Sequence, residues 1–316
     1  MEKIGLIGLG NVGSAMAERI LLAEYPLTVY DQRAEAVDLM VKAGATSAAS
    51  PADVARESDI ILTSLPGPVE LEEVTLGPQG IIHGIRPGSV YVDHTTSRAS
   101  LIQHVHARFK ESGAEVLDAP ISGGRAELLQ GKQEFTVGGS REALDRVTPV
   151  LRAYGDQIWY AGDIGAGTIC KLVHNMLMRD LVQIIAEGMT LGVKAGVDAE
   201  VVWEGIRRGL FGKMMVLHNS MPRTSFRGVY EPTTYTMALS RKDIGLATEI
   251  GRDFNVPMPV SNLVEQICIQ AMNRGWGQKD SGVIFAIQEE AAGVEVRALD
   301  IDLEKAAQYI STNPDV

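Results

Sequence analysis

Short apolar runs alternate with helical patterns over the first half of the chain. Runs rich in Ile, Val and Leu between turn residues predict buried strands, separated by stretches with the spacing of amphipathic helices. The predicted strands are Ile4 to Ile7, Leu27 to Tyr30, Ile60 to Ser64, Val90 to Asp93, Glu115 to Leu117, Phe135 to Val137 and Ile158 to Ala161. The predicted helices lie near residues 34–43, 68–75, 98–112 and 140–152. This alternation predicts an α/β fold with a doubly wound, mostly parallel sheet.

The pattern changes after Gly162. A helical pattern runs without a break from about Thr168 to Lys194, and further helical segments lie near residues 198–209, 240–253, 259–273 and 281–292. The stretch from Asp300 to Val316 is predicted to be a short helix and a polar tail. We therefore predict an α/β domain over 1–162, a long interdomain helix over 163–194 and an all-α domain over 195–316.

Composition excludes several classes of partner. The chain of 316 residues is long enough for two domains with cores, and its 29 Lys and Arg stand against 40 Asp and Glu, a net charge of -11. Such a balance gives no basic field to attract nucleic acid or anionic lipid. No apolar run reaches the about 18 residues that span a bilayer, and the first strand begins without a leader pattern. We predict a cytoplasmic protein with no nucleic-acid or membrane partner.

The cysteines and histidines offer no metal-ligand pattern. Cys170 and Cys268 both lie in helical patterns, without the spacing of a disulfide framework or a zinc site, and are predicted to be buried thiols. The six histidines are scattered, and the nearest pair, His104 and His106, points to different faces of a helix. We predict no metal site.

A glycine-rich turn follows the first predicted strand. Gly8, Leu9, Gly10, Asn11, Val12 and Gly13 form a G-x-G-x-x-G pattern that leads into an amphipathic stretch. The first glycine of such a turn permits the tight bend, the second lets the backbone approach a pyrophosphate, and the third lets helix and strand pack closely. Asp31 ends the second strand about twenty residues on, where a carboxylate accepts both ribose hydroxyls. The sequence therefore predicts that the α/β domain over 1–162 is a Rossmann-type dinucleotide-binding domain.

Asp31 and Arg33 bear on the choice of cofactor. A carboxylate at Asp31 repels a 2′-phosphate and favours NAD, whereas Arg33 is suited to pair with such a phosphate. We predict NAD and leave NADP open.

Two further strand ends border this predicted site, because open α/β sheets bind ligands at the carboxyl ends of their strands. Leu65 and Pro66 follow one strand, and an Asp-His-Thr-Thr run ending at Thr96 follows the next. We predict that Leu65, Pro66 and Thr96 contact the cofactor. The alternative for the threonines is an N-cap of the helix that begins near Arg98.

A second glycine pair follows the strand that ends near Asp118. Ser122, Gly123 and Gly124 can form an anion nest, in which consecutive backbone N–H groups and a hydroxyl point inward at a carboxylate. A simple turn explains the same residues equally well.

A lysine in the long helical pattern is the strongest candidate for chemistry. Lys171 and Asn175 are spaced i, i+4 and share one helix face, with apolar residues on both sides of the lysine. Burial favours the neutral amine and moves its pKa toward working pH, as general acid–base catalysis requires. A solvated surface lysine is the ordinary alternative.

Four motifs in order resemble the β-hydroxyacid dehydrogenase family, the group that includes 3-hydroxyisobutyrate dehydrogenase and 2-hydroxy-3-oxopropionate reductase. The resemblance covers nearly the whole chain. The motifs are the Gly8–Gly13 turn, the run Asp118–Gly124, the stretch Gly165–Asn175 and the run Lys242–Ala247.

The resemblance implies a role for each matching residue. Lys171 resembles the catalytic lysine, Asn175 the amide that positions the substrate, and Ser122, Gly123 and Gly124 the cradle for its carboxylate. Lys242 is similar to a second lysine that reaches both cofactor and substrate. The resemblance also implies that the helical half forms homodimers or homotetramers.

Several residues depart from the family pattern. His174 stands where the family usually has a first asparagine, and a structural role is favoured for it over proton exchange. Glu127-Leu128 and Gly131-Lys132-Gln133 replace small and apolar residues after the glycine pair, so the floor of the cradle is expected to differ. Near Lys242, Ser240 and Asp243 form a capping-box pattern, which gives Asp243 a structural explanation.

The predicted reaction is reversible oxidation of a β-hydroxy acid to its semialdehyde or keto form, with Lys171 as general acid and base. One alternative is a relative that acts on a larger hydroxy or carbonyl compound, with or without decarboxylation. Its pocket would be lined by Leu210, Phe211, Met214, Met215 and Trp276, for which core packing is an equal explanation. Lys171 disfavours an imine reductase. The alternative from another class is a dinucleotide sensor without turnover.

Overall fold

The computed structural model describes residues 1–233 and 235–301. The chain divides into two compact units, Met1–Leu177 and Met178–Val316. This division falls inside the predicted interdomain helix. The helix predicted to follow Asp300 lies outside the described residues, which end at Ile301.

The first unit contains one mixed sheet. Its strands are β1 (Ile4–Ile7), β2 (Leu27–Tyr30), β3 (Thr46–Ser47), β4 (Ile60–Thr63), β5 (Val90–Asp93), β6 (Glu115–Asp118), β7 (Ile121–Ser122), β8 (Gln133–Gly139) and β9 (Gly155–Gly162). The order is β3-β2-β1-β4-β5-β6-β8-β7, and β9 pairs with β8. The strands from β3 through β6 run parallel, whereas β6 and β7 are antiparallel to β8. The predicted mostly parallel, doubly wound sheet is confirmed.

Helices flank this sheet and form the regular structure of the second unit within the described residues. They are α1 (Asn11–Leu22), α2 (Ala34–Lys42), α3 (Pro51–Glu57), α4 (Pro68–Leu76), α5 (Ala99–Lys110), α6 (Arg125–Leu129), α7 (Arg141–Leu151), α8 (Ala166–Lys194), α9 (Ala199–Arg208), α10 (Met221–Arg223), α11 (Met237–Asp253), α12 (Pro259–Asn273) and α13 (Ile284–Ala292). Helix α8 runs through the boundary between the units. The predicted helical C-terminal part is confirmed.

Strands β1, β4 and β5 are buried at every position because helices cover both faces of the sheet. Leu6 and Val29 belong to a buried cluster on one side, and Ile61, Tyr91 and Phe109 belong to a second cluster. Strand β1 lies between β2 and β4. The strands that follow β1 in the sequence are first added on one side of it, up to β3, and then on its other side from β4 onward. A crevice at the carboxyl end of β1 is therefore the expected ligand site.

Two local predictions are wrong. Helix α11 begins at Met237, and the Thr236 hydroxyl accepts a hydrogen bond from the Leu239 N–H. The proposed capping box at Ser240 and Asp243 therefore lies inside the helix. Cys170 is exposed, whereas Cys268 is buried as predicted.

The second unit buries a much smaller apolar cluster within the described residues. Met237, Cys268, Ala271, Val283 and Ile287 form that cluster. Among the described helices, including α8, none is both long and apolar enough to cross a membrane.

Candidate active site

The glycines of the first turn differ in what surrounds them. Gly8 has φ +94°, and a Cβ there would lie 2.3 Å from the Ser64 carbonyl oxygen. A Cβ on Gly13 would lie 1.9 Å from the Gly8 carbonyl oxygen. A Cβ on Gly10 would meet nothing within 4 Å. The turn thus requires glycine at two positions for packing and leaves open space above Gly10, where a phosphate can approach the backbone.

A cavity of about 530 Å³ opens beside this turn. Seven of the residues predicted to bind the cofactor line it, namely Gly8, Gly10, Asn11, Val12, Asp31, Leu65 and Pro66. Gln32, Arg33, Ser64 and Glu70 add further polar side chains to its wall. Its position at the end of β1 and β4 is where a doubly wound sheet binds a dinucleotide.

Asp31 is held by two groups at the rim of this cavity. Its Oδ2 accepts a hydrogen bond from the Leu9 N–H at 2.6 Å, and its Oδ1 lies 3.1 Å from Arg33 Nε. Burial raises the pKa of Asp31, but the hydrogen bonds from Arg33 and Leu9 outweigh it and lower the pKa below its ordinary value. The carboxylate is therefore ionised at neutral pH, and Arg33 is already paired with it.

Thr96 and Thr95 differ in position. Thr96 is exposed and does not line the cavity, whereas the buried Thr95 hydroxyl accepts a hydrogen bond from the Leu65 N–H at 3.2 Å. Helix α5 has Arg98 at its N-cap, without a side-chain cap. Neither threonine caps the helix, and Thr95 instead joins two neighbouring strand ends.

Asp93 and His94 are both buried at the end of β5. Thr63 Oγ1 donates to Asp93 Oδ1 at 2.8 Å, and burial raises the pKa of this carboxyl to about 6. The two ring nitrogens of His94 lie 2.6 Å from the Ala119 carbonyl oxygen and 2.9 Å from the Tyr154 hydroxyl. Burial lowers the pKa of His94 to about 4, so the ring is neutral at neutral pH.

Lys171 meets the second glycine run. Its Nζ donates a hydrogen bond to Ser122 Oγ at 3.2 Å. The side chain is half-buried, and burial lowers the pKa of the amine. Asn175 and His174 are exposed on the same helix. The structure thus brings together the predicted lysine and the serine of the predicted cradle, which lie 49 residues apart in the sequence.

The floor of the cradle is polar. Gly123 has φ +123°, while the Gly124 N–H donates to Glu127 Oε2 at 2.9 Å. Below them, the fully buried Gln133 donates through Nε2 to the Ser122 carbonyl oxygen, and its Oε1 has no hydrogen-bond partner among the described residues. Two of the departures from the family pattern therefore contact the glycine run directly.

Lys242 lies on α11 in the second unit. Its Nζ is exposed and lies 2.9 Å from Asp243 Oδ1, and Asp243 Oδ2 accepts a hydrogen bond from the Tyr235 hydroxyl at 2.5 Å. Leu210, Phe211 and Met214, predicted to line a larger pocket or pack in the core, are exposed. Core packing therefore does not account for these three.

Sequence reasoning assigned no role to Asp118. Its carboxylate accepts hydrogen bonds from the N–H groups of Gly165 and Thr168 at the start of α8. The pattern that could have indicated a role is a carboxylate at the last position of a buried strand, shortly before the glycine pair. Ser64, Gln32 and Glu70 in the cavity wall carried no such signal.

Known proteins resemble this chain over both units. A family model described as the NAD binding domain of 6-phosphogluconate dehydrogenase matches residues 3–162, and one described as the NAD-binding part of NADP-dependent 3-hydroxyisobutyrate dehydrogenase matches residues 165–287. An NAD-dependent L-serine dehydrogenase of Pseudomonas aeruginosa is 33% identical, covering 93% of this chain and 100% of the relative.

Two further likenesses agree with these. The 2-(hydroxymethyl)glutarate dehydrogenase of Eubacterium barkeri is 33% identical, over 93% of this chain and 97% of the relative. A Mycobacterium tuberculosis 3-hydroxyisobutyrate dehydrogenase structure with L-serine superposes with a TM-score of 0.62 and 25% identity, covering 91% of this chain and 99% of the other.

Proposed function

The chain belongs to the β-hydroxyacid dehydrogenase family, and from that premise we propose which substrates it takes and which of its residues carry out the reaction. It is an NAD(P)-dependent enzyme that interconverts a β-hydroxy acid and the corresponding carbonyl compound. The alternative of a sensor without turnover has no support among these relatives.

We propose a substrate with a primary alcohol. L-Serine, 3-hydroxyisobutyrate and 2-(hydroxymethyl)glutarate, named for three relatives, share a hydroxymethyl group on the carbon that carries a carboxylate. They differ only in the third substituent of that carbon, which is an amino, methyl or carboxyethyl group. The hydroxymethyl carboxylate is thus the common unit for this chain to recognise, and its product is a semialdehyde.

The contact between Lys171 and Ser122 carries the proposed mechanism. In the oxidation, the neutral Lys171 amine takes the hydroxyl proton while the carbon–oxygen bond becomes a carbonyl. Bound NAD(P)⁺ supplies the acceptor for the hydride that leaves the same carbon. In reduction, the Lys171 ammonium returns the proton to the carbonyl oxygen. Asn175 and Lys242 are proposed to hold the substrate, and the Ser122–Gly124 run to bind its carboxylate.

Desolvation supports this role for Lys171. A neutral amine is needed to accept a proton, and burial lowers the pKa of Lys171 in that direction. The Ser122 hydroxyl, 3.2 Å from Nζ, fixes the direction in which the amine points. A solvated lysine would have neither property.

We propose that NAD is preferred over NADP. The ionised Asp31 at the cavity rim repels a 2′-phosphate, and Arg33 is already engaged by that carboxylate. We also propose a cytoplasmic location, which two free cysteines suit, and a homodimer or homotetramer. The association is supported by large apolar side chains left exposed on α8, among them Met176, Leu177 and Val182.

Lys171→Met tests the proposed chemistry. We expect kcat to fall by at least about a hundredfold, since positioned acid–base catalysis contributes about 10² to 10⁴ in rate. The dissociation constant for NAD should be unchanged. The assay follows nicotinamide absorbance with L-serine, 3-hydroxyisobutyrate and 2-(hydroxymethyl)glutarate, each with NAD and NADP.

Lys194→Met is the matched control, because Lys194 ends the same helix and is exposed. It should retain wild-type turnover. Full activity in Lys171→Met would reject the lysine as the acid–base group.

A further inference from the structure

Both oxygens of Asp118 hold the first turn of helix α8. The Gly165 N–H donates to Oδ1 at 2.8 Å, and the Thr168 N–H donates to Oδ2 at 2.6 Å. These N–H groups belong to the first turn, where no carbonyl of the same helix can accept from them. Asp118 is fully buried, and its carboxylate is the acceptor for both N–H groups. The start of α8 therefore depends on this carboxylate.

The helix is also seated too closely to shift. A Cβ on Gly167 would lie 2.4 Å from the Thr136 carbonyl oxygen and 2.6 Å from that of Asp118. A Cβ on Gly138, on the neighbouring strand β8, would lie 2.4 Å from Asp118 Oδ1. The backbones thus meet without space for side chains, and the carboxylate fills the remaining gap.

One short segment touches the helix at two points. It leaves β6 at Asp118, which binds the first turn, and reaches Ser122, which meets Lys171 Nζ at 3.2 Å. Lys171 lies one helical turn beyond Thr168. Any rotation or slide of α8 against this segment would therefore move the amine away from the serine.

We propose that Asp118 is a positioning residue, whose carboxylate fixes the register of α8 so that the Lys171 amine stays against Ser122. This role rests on the proposed function of Lys171. The two N–H donors need two acceptors, which a carboxylate provides. An amide provides one acceptor and turns an NH₂ group toward the other N–H donor, so the arrangement is specific for aspartate.

Glu187, on the part of α8 that belongs to the second unit, offers a matched comparison. Its buried carboxylate accepts from the Val260 N–H at 2.9 Å, the Ser261 N–H at 3.0 Å and the Ser261 hydroxyl at 2.7 Å. It thereby caps α12, just as Asp118 caps α8. Glu187 has no part in the proposed machinery, so its loss should affect stability alone.

The test compares Asp118→Asn with Glu187→Gln. Both should lower the melting temperature, because each leaves a buried N–H without an acceptor. Only Asp118→Asn should lower kcat, by about tenfold to a hundredfold, the effect of a misplaced catalytic group. Its dissociation constant for NAD should stay within about twofold of wild type, since the glycine turn is not altered. The isotope effect on kcat with substrate deuterated at the hydroxymethyl carbon should rise as chemistry becomes rate-limiting.

Asp118→Ser serves as a second variant, because a hydroxyl can accept from one of the two N–H groups without adding volume. Unchanged kcat and isotope effect in a folded Asp118→Asn or Asp118→Ser would overturn the positioning role. So would failure of both to fold, which would leave only a structural role. Lys171→Met, assayed beside them, separates the outcomes: if it retains activity, the proposed function itself fails, whereas its inactivation beside a wild-type-like Asp118→Asn overturns the positioning role alone.

Discussion

The two compact units differ in how they cover their apolar side chains. The sheet unit buries strands such as Ile4–Ile7 and Ile60–Thr63 completely between helices. In the helical unit, Met178, Val182 and Val201 have 40%, 53% and 60% of their surface exposed. Burial of apolar surface is the main favourable contribution to folding. The sheet unit thus contains two large buried clusters of its own, whereas the proposed association would cover apolar residues that the helical unit leaves exposed.

The largest effect is expected when the two units are produced as separate fragments. A fragment of residues 1–177 should fold and unfold cooperatively, because both of its apolar clusters lie within it. A fragment of residues 178–316 should lack a cooperative transition when it is alone. Thermal unfolding followed by circular dichroism measures both. A cooperative transition in the isolated helical fragment would break the comparison.

A smaller effect is expected from charges on the exposed apolar side of α8. Met178→Glu combined with Val182→Glu places two carboxylates one helical turn apart on the face proposed to be covered by a second copy. The double variant should dissociate to monomers, since buried unpaired charges are costly. Light scattering coupled to gel filtration gives the mass.

Leu39→Glu is the control on the sheet unit. Leu39 lies on α2 and is 61% exposed, comparable to Val182. Because the sheet unit covers its own core, this change should leave the mass unaltered. If it dissociated the protein equally, the exposed apolar residues of the two units would not differ in function.

The smallest expected effect concerns pH and lies within the sheet unit. Burial raises the pKa of Asp93 to about 6, so folding takes up a proton and this group adds stability as pH falls from about 6 to 4. Burial lowers the pKa of His94 to about 4, so this group loses stability over the same range. The two effects oppose each other. Asp93→Asn removes the first effect, and the variant should lose about 2 kcal/mol more stability than wild type between pH 7 and pH 4.

Chemical denaturation at each pH measures this difference. The gap between the variant and wild type should widen steadily through the stated range. A gap that does not change with pH would show that the Asp93 carboxyl titrates as it does in water.

Long elements could be predicted from the sequence and short ones could not. Strands such as Val90–Asp93 and the helix ending at Lys194 carry enough apolar periodicity to be recognised. Strands β3 and β7 contain two residues each, and α6 contains five, which is too few for any period. The start of α11 was misplaced because Ser240 and Asp243 mimic a cap that Thr236 provides.

Within the candidate site, residues whose role depends on their sequence neighbours could be predicted, whereas contacts between residues distant in the sequence could not. The G-x-G-x-x-G turn and Lys171 stand out because their neighbours in the sequence define their surroundings. The partners of Asp118 lie 47 and 50 residues away, so no local pattern indicates them. Glu127, by contrast, meets Gly124 three residues before it, a spacing from which a cap could have been predicted.

That contact has a consequence for substrate affinity. Because the Gly124 N–H is already bonded to Glu127, a substrate carboxylate that docks at this N–H must first displace a carboxylate of the protein. Docking is then an exchange of one anion for another, and the measured affinity is the difference between the two bonds. In a Glu127→Gln variant, the neutral amide oxygen would accept the Gly124 N–H less strongly, and residue 127 would no longer repel an incoming anion.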